Sequence, residues 1–138
     1  MYNVIREGFM RKPRAYVAGP ITSSGHLHGN LHNGIKVGEQ LRRAGFHPFT
    51  PHLYDFTMIV ADSEVPWEEA LEMDENWITA CDLLVALPGV SKGKEREMVF
   101  ARARHIPVIE LRSNSIYPDG LNINDELAEF LSSWAKMS

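Results

Sequence analysis

Two carboxylates, Asp74 and Glu97, and the polar turn Ser91-Lys92-Gly93 carry most of the chemical content of this chain. A strand-like run, Asp82-Leu83-Leu84-Val85-Ala86-Leu87, ends at the turn Pro88-Gly89. A helix-like run through Met98-Val99-Phe100-Ala101-Arg102-Ala103 follows the 91–97 segment. Backbone N–H groups at a helix N-terminus point outward without helical partners, so a Ser and a Gly at this junction suit an anion or a sugar hydroxyl. Glu97 shares a helical face with Phe100 and Ala101, three and four residues on. That face should pack inward, with Glu95 and Arg96 looking out. The pattern alone leaves Glu97 open between an active-site carboxylate and a solvated helix glutamate.

Asp74 falls on the apolar stripe of its own helix, Trp67, Leu71, Ile78 and Cys81, three residues after Leu71 and four before Ile78. A carboxylate on a buried face is costly unless it is paired or works. It either caps neighbouring N–H groups or stands beside Glu97 as a second active-site carboxylate. Two such groups would shift each other's pKa, which suits acid/base chemistry. The loop Gly19-Pro20-Ile21-Thr22-Ser23-Ser24-Gly25 is rich in hydroxyls and backbone donors, but it has neither the dinucleotide fingerprint nor the P-loop lysine. It reads as a nucleoside or monophosphate loop, or as a plain turn. His26, His28 and His32 lack a ligand-spaced carboxylate or cysteine, so pocket-mouth or exposed histidines are favoured over a zinc site. Trp67 and Trp77 could stack on a base, though tryptophans at helical spacing more often belong to a core.

The elements that must position these residues alternate. Strand-like runs are Ala15-Tyr16-Val17-Ala18, Leu83 to Leu87, Ile106-Pro107-Val108-Ile109 and a weaker Phe46-His47-Pro48-Phe49, whose Pro48 suits an edge. Helices are expected over 30–43, closed by Gly45, over 66–80 with Pro66 near its first position, over 94–104, and over 124–136 with Asp125 as cap. The segment 51–65 is the longest irregular one and is expected to form part of a pocket. This order implies one doubly wound α/β domain over 1–138, flavodoxin/Rossmann-like, with a mainly parallel sheet flanked by helices. Residues 1–13 read as an N-terminal extension and 113–138 as a C-terminal helical tail.

Composition bounds the function. The chain has 138 residues, 44% hydrophobic and 23% charged, which fits one domain with a real core. A net charge of −4 offers no field for a nucleic-acid polymer, while a free nucleotide needs only local donors. Cys81 is the only cysteine, so no internal disulfide can form and a reducing compartment is expected. No apolar stretch spans a membrane and no signal-peptide core opens the chain, so the cytoplasm is the default.

Four segments together resemble the nucleoside 2-deoxyribosyltransferase superfamily, which includes nucleoside 5′-monophosphate N-glycosidases and small phage and bacterial relatives. They are Tyr16-Val17-Ala18-Gly19-Pro20-Ile21; 30–51 with Leu41-Arg42-Arg43-Ala44-Gly45-Phe46; 73–82 with Asp74, Trp77 and Asp82; and 91–97 with Ala101 and Ile106-Pro107-Val108-Ile109. The resemblance implies that Glu97 is a nucleophile at C1′ of a sugar. It implies that Asp74 orients Glu97 and helps protonate the leaving base, and that Tyr16 positions the nucleophile. Gly19, Pro20, Ile21, Ser91 and Gly93, with Ser23 and Ser24, would hold sugar or 5′-phosphate. The implied activity is cleavage of an N-glycosidic bond, with water as acceptor in a hydrolase or a second base in a transferase. The alternative is a non-catalytic nucleotide-binding or signalling module. No metal or redox cofactor is implied. The expected partners are a nucleoside or nucleoside 5′-monophosphate and further copies of the chain, as a homodimer or larger homo-oligomer. The loop after Gly19 carries His26, His28 and His32 where the monophosphate hydrolases carry arginine, and Lys92 and Lys94 are the nearby cations. The tail from Ser113 matches no transferase tail.

Overall fold

Short apolar runs separated by amphipathic helices produce a sheet with both faces covered. The computed structural model describes residues 11–21, 27–61, 63 and 65–137, with the backbone alone for 55–59. In chain order the elements are β1 (Arg14–Ala18), α1 (Leu27–Ala44), β2 (His47–Phe49), α2 (His52–Ala61), α3 (Trp67–Thr79), β3 (Leu83–Ala86), α4 (Lys92–Ala103), β4 (Val108–Glu110) and α5 (Asp125–Ala135). The four strands are all parallel in the order β2-β1-β3-β4, so β2, with its Pro48, is indeed an edge strand. The fold is α/β, with helices on both faces of a parallel sheet.

Strand parity assigns each side chain to a face. Tyr16 pairs with Leu84 and Ala18 with Ala86 in the β1–β3 register. These residues pack with Ile78 of α3 and with Met98 and Ala101 of α4. The alternate set, Ala15, Val17, Leu83 and Val85, packs with Val37 and Leu41 of α1 and Leu127 of α5. The tyrosine is therefore delivered to the face of α3 and α4, which carry Asp74 and Glu97.

Several expectations are corrected. The segment 51–65 is not irregular, because His52–Ala61 forms a helix. Its run Phe56-Thr57-Met58-Ile59-Val60 has no clean helical stripe, which hid it from a periodicity reading. Pro66, expected near the first helical position of α3, is its N-cap, the residue just before Trp67. Asn124, not Asp125, caps α5, with its side chain accepting from the Leu127 N–H at 3.1 Å. Trp67, counted with the buried stripe of α3, is 54% exposed. Within the expected 1–13 extension, Arg11 and Pro13 are built into the fold. The Arg11 guanidinium donates to both Asp82 oxygens at 2.7 and 3.0 Å, and the Pro13 carbonyl accepts from His47 N–H. The 113–138 tail is helical over Asp125–Ala135 as expected, and its Leu127 is fully buried. Among the described residues no helix is long and apolar enough to cross a membrane.

Candidate active site

The sheet order places a switch point between β1 and β3. From β1 the chain leaves through α1 toward β2, and from β3 through α4 toward β4, on opposite faces. The carboxyl ends of those two strands therefore diverge and leave a crevice, the usual ligand position in open α/β sheets. A cavity of about 490 Å³ lies here, lined by Gly19 and Ile21 after β1, by Asp74 of α3, and by Ser91, Gly93 and Glu97 at the start of α4.

Glu97 sits at the bottom, 6% exposed. The Tyr16 hydroxyl, held by the sheet, donates to Glu97 Oε2 at 2.9 Å. Asp74 approaches from α3, half-buried. Burial raises the Glu97 pKa well above the carboxylate range, and hydrogen bonding to Asp74 and the Asp74 charge raise it further, against the Tyr16 hydrogen bond. Burial also raises Asp74, while hydrogen bonding with Glu97 and Tyr16 works against the rise. Burial and the two carboxylates keep the phenol of Tyr16 protonated. Two carboxyls in mutual contact, one of them deeply buried, cannot both ionise cheaply, so the pair holds one proton at neutral pH.

Ser91 caps the helix that carries Glu97 and still lines the cavity. Its side chain is the N-cap of α4 and accepts from the Lys94 N–H at 3.2 Å. Lys94, named above as a nearby cation, is 8% exposed, and its ammonium donates to the carbonyls of Leu87 and Gly89. It closes the turn out of β3 from the inside. Its position three residues before Glu97, on the same helical face, was the available signal. Lys92 is exposed.

Glu97, Asp74, Tyr16, Gly19, Ile21, Ser91 and Gly93 come together as expected. Pro20 does not line this cavity but the adjoining one. Ser23 and Ser24, with His26, lie outside the described residues. His28 and His32 are exposed on α1, and no group of three metal-ligating side chains occurs among the described residues. Trp67 borders the cavity with the Arg96 guanidinium 5.6 Å from its ring, whereas Trp77 stacks on Phe49 at 4.7 Å. Arg96 also reaches Glu75 at 3.6 Å and Glu68 at 3.9 Å, tying α3 to α4 around the carboxylates. Tyr54 and Val65, from the segment first read as irregular, complete the apolar wall.

The arrangement can supply a nucleophilic carboxylate and a proton donor side by side beneath an apolar wall. No curated protein matches the chain. A domain of unknown function, DUF7768, matches residues 13–111, from just before β1 to just after β4, and the chain belongs to that family.

Proposed function

We propose that the protein cleaves the N-glycosidic bond of a nucleoside or nucleoside 5′-monophosphate, with Glu97 as nucleophile. The observation that carries this reading is the buried Tyr16–Glu97–Asp74 constellation at the switch-point cavity. A binding module gains nothing from two inward carboxylates that share a proton, since each costs solvation. The resemblance to the nucleoside 2-deoxyribosyltransferase superfamily supports the same roles and belongs to the proposal.

In the first step the shared proton passes from Glu97 to Asp74, and the ionised Glu97 oxygen bonds to C1′ as the C1′–N bond breaks. The bond's electron pair stays on the base, which takes the shared proton from Asp74. Charge developing at the sugar is balanced by the adjacent carboxylates. In the second step water attacks C1′, gives a proton to Asp74 and releases Glu97, so the sum is nucleoside plus water to sugar plus free base. Tyr16 holds the attacking carboxyl in place through its hydroxyl. The reaction is proposed to take place in the cytoplasm and in a homodimer or larger homo-oligomer.

The test is incubation of the protein with a panel of nucleosides and 5′-monophosphates, with chromatography for free base. At least one substrate should release base, and Glu97→Gln should lower the rate by about 10³-fold or more while the protein stays folded. Equal release by wild type and Glu97→Gln would sink the mechanism. Addition of a second base as acceptor separates hydrolysis from sugar transfer.

A further inference from the structure

Beside β1 the rim of the carboxylate cavity is the turn 19–21, and Gly19 and Ile21 line the cavity. The sheet does not hold this turn. Pairing along β1 ends at Ala18, whose carbonyl accepts from the Leu87 N–H at 2.8 Å. Backbone carbonyls beyond the end of a strand need other partners. Here two side chains from elsewhere in the fold supply them. Asn30 of α1 donates through Nδ2 to the Ile21 carbonyl at 2.9 Å, and the His52 ring donates to the Pro20 carbonyl.

His52 spends its one donor on that bond. It is 1% exposed, and its Nδ1 is buried without a hydrogen-bond partner, so Nε2–H is the donor. The ring is fixed from the side of α1, since a Cβ on Gly34 would collide with it. Burial pushes the imidazole pKa down to about 4, so the ring is neutral at neutral pH. An apolar side chain of similar size would fill the same space and leave no buried nitrogen unpaired. What the imidazole adds is the bond to Pro20.

His52 opens α2, directly after Pro51 and two residues before Tyr54, both of which line the carboxylate cavity. Its ring therefore ties the α2 wall of that cavity to the β1 rim. Pro20 and His52 themselves border the adjoining cavity, so the anchor stands behind the rim and outside the substrate's space. The facing turn, after β3, is held in the same manner by the buried Lys94 ammonium. Gly89 of that turn has φ +108°, and a Cβ there would fall 2.9 Å from Pro20 Cγ, so Pro20 has no room to shift toward it.

We propose that, given the glycosidic reading of this cavity, His52 and Asn30 are positioning residues. They hold the turn 19–21 where it meets the substrate and set substrate affinity without touching substrate. A rim that meets the ground state and the transition state alike acts on KM and leaves kcat in place.

The test compares His52→Met, which keeps bulk and loses the donor, with His52→Gln, whose side-chain amide can replace it. In base release, His52→Met should raise KM about tenfold, the loss of one well-placed hydrogen bond, with kcat within about threefold. The pH profile of kcat should stay where it is, because Glu97 and Asp74 are untouched. His52→Gln should restore most of the affinity. Asn30→Ala should raise KM in the same way, and it decides alone should His52→Met fail to fold. An unchanged KM, or a lost kcat at unchanged KM, would overturn the proposal. Backbone-amide NMR of the full chain needs no turnover. The Gly19 and Ile21 signals should move in His52→Met and return toward wild type in His52→Gln, and signals that stay put in both His52→Met and Asn30→Ala would equally overturn it. Should no nucleoside or monophosphate release base, the glycosidic reading falls, and the amide signals alone decide whether these two side chains hold the turn.

Discussion

At Glu97, solvation decides the chemistry. An ionised carboxylate at this depth forfeits several kcal/mol of hydration, and one phenol hydrogen bond returns only about 1.5–3 kcal/mol. With Asp74 alongside, the cheaper state keeps one proton on the pair. The singly protonated pair is also the form the proposed reaction needs. The rate should therefore follow a bell in pH, with the alkaline limb set by loss of the shared proton. Asp74→Asn removes the proton source and should slow base release by about 10²-fold and abolish the alkaline limb. A pH–rate profile checks this, and an unaltered rate would make Asp74 a structural residue. Glu97 and Asp74 were legible as inward carboxylates from their spacing to Ala101, Leu71 and Ile78. Lys94 was not, because a lysine in a polar run reads as solvated until the turn carbonyls of Leu87 and Gly89 are seen to surround it.

Among the elements, β1 and β3 are held at both ends by different means. At their carboxyl ends Lys94 and the Ser91 cap secure the turn into α4. At their amino ends Asp82 accepts two hydrogen bonds from Arg11 and one from the Arg14 N–H at 2.7 Å. Arg11 in turn lies over the Trp134 ring, and its carbonyl accepts from the indole N–H at 2.9 Å, which joins α5 to the sheet. Asp82→Ala removes the carboxylate that accepts twice from the Arg11 guanidinium and once from the Arg14 N–H, and should cost about 2–3 kcal/mol in urea unfolding. A change within ~0.5 kcal/mol would mean that water replaces Asp82 fully. The helices over 30–43 and 94–104 were legible from apolar periodicity, and each proved a residue or more longer at its start. The helix His52–Ala61 was not, because Phe56 to Val60 is a mostly apolar run without alternation.

For the whole molecule, two buried titrations oppose each other. His52, held down at about 4, contributes stability that is present above its ordinary 6.5 and is lost as pH falls through 4. The Glu97–Asp74 pair is raised, so its contribution is present below the ordinary carboxyl pKa and is lost as pH rises through the raised value. Between about 4.5 and 6.5 the two slopes offset each other. From 6.5 to about 8 the carboxyl pair dominates the slope, because the Cys81 thiol, held up at about 12 by burial, and the raised Tyr16 phenol add losses only as pH passes their ordinary values of about 8.5 and 10. Stability in urea should therefore fall from pH 6.5 toward pH 8 in the wild type and stay nearly flat over that window in Glu97→Gln. The acid side is a poorer test, because Glu39 and Asp119 are both held down at about 2 and add their own losses there. Parallel slopes in the two proteins on the alkaline side would show that Glu97 is not the group responsible.

By itself the sequence determined the alternation of strands and helices, the edge position of Pro48, and the inward faces of Glu97 and Asp74. Each is a local consequence of period, turn chemistry and the cost of burying charge. Only the tertiary structure decided what those faces meet. Strand parity sends Tyr16 to the same side as α3 and α4, and the order β2-β1-β3-β4 opens the crevice at β1 and β3. The turns after β1 and β3 approach closely enough that only a glycine fits at Gly89 beside Pro20, and close packing of α1 on His52 leaves one nitrogen without a partner. These depend on contacts between residues far apart in the chain, which no local pattern encodes.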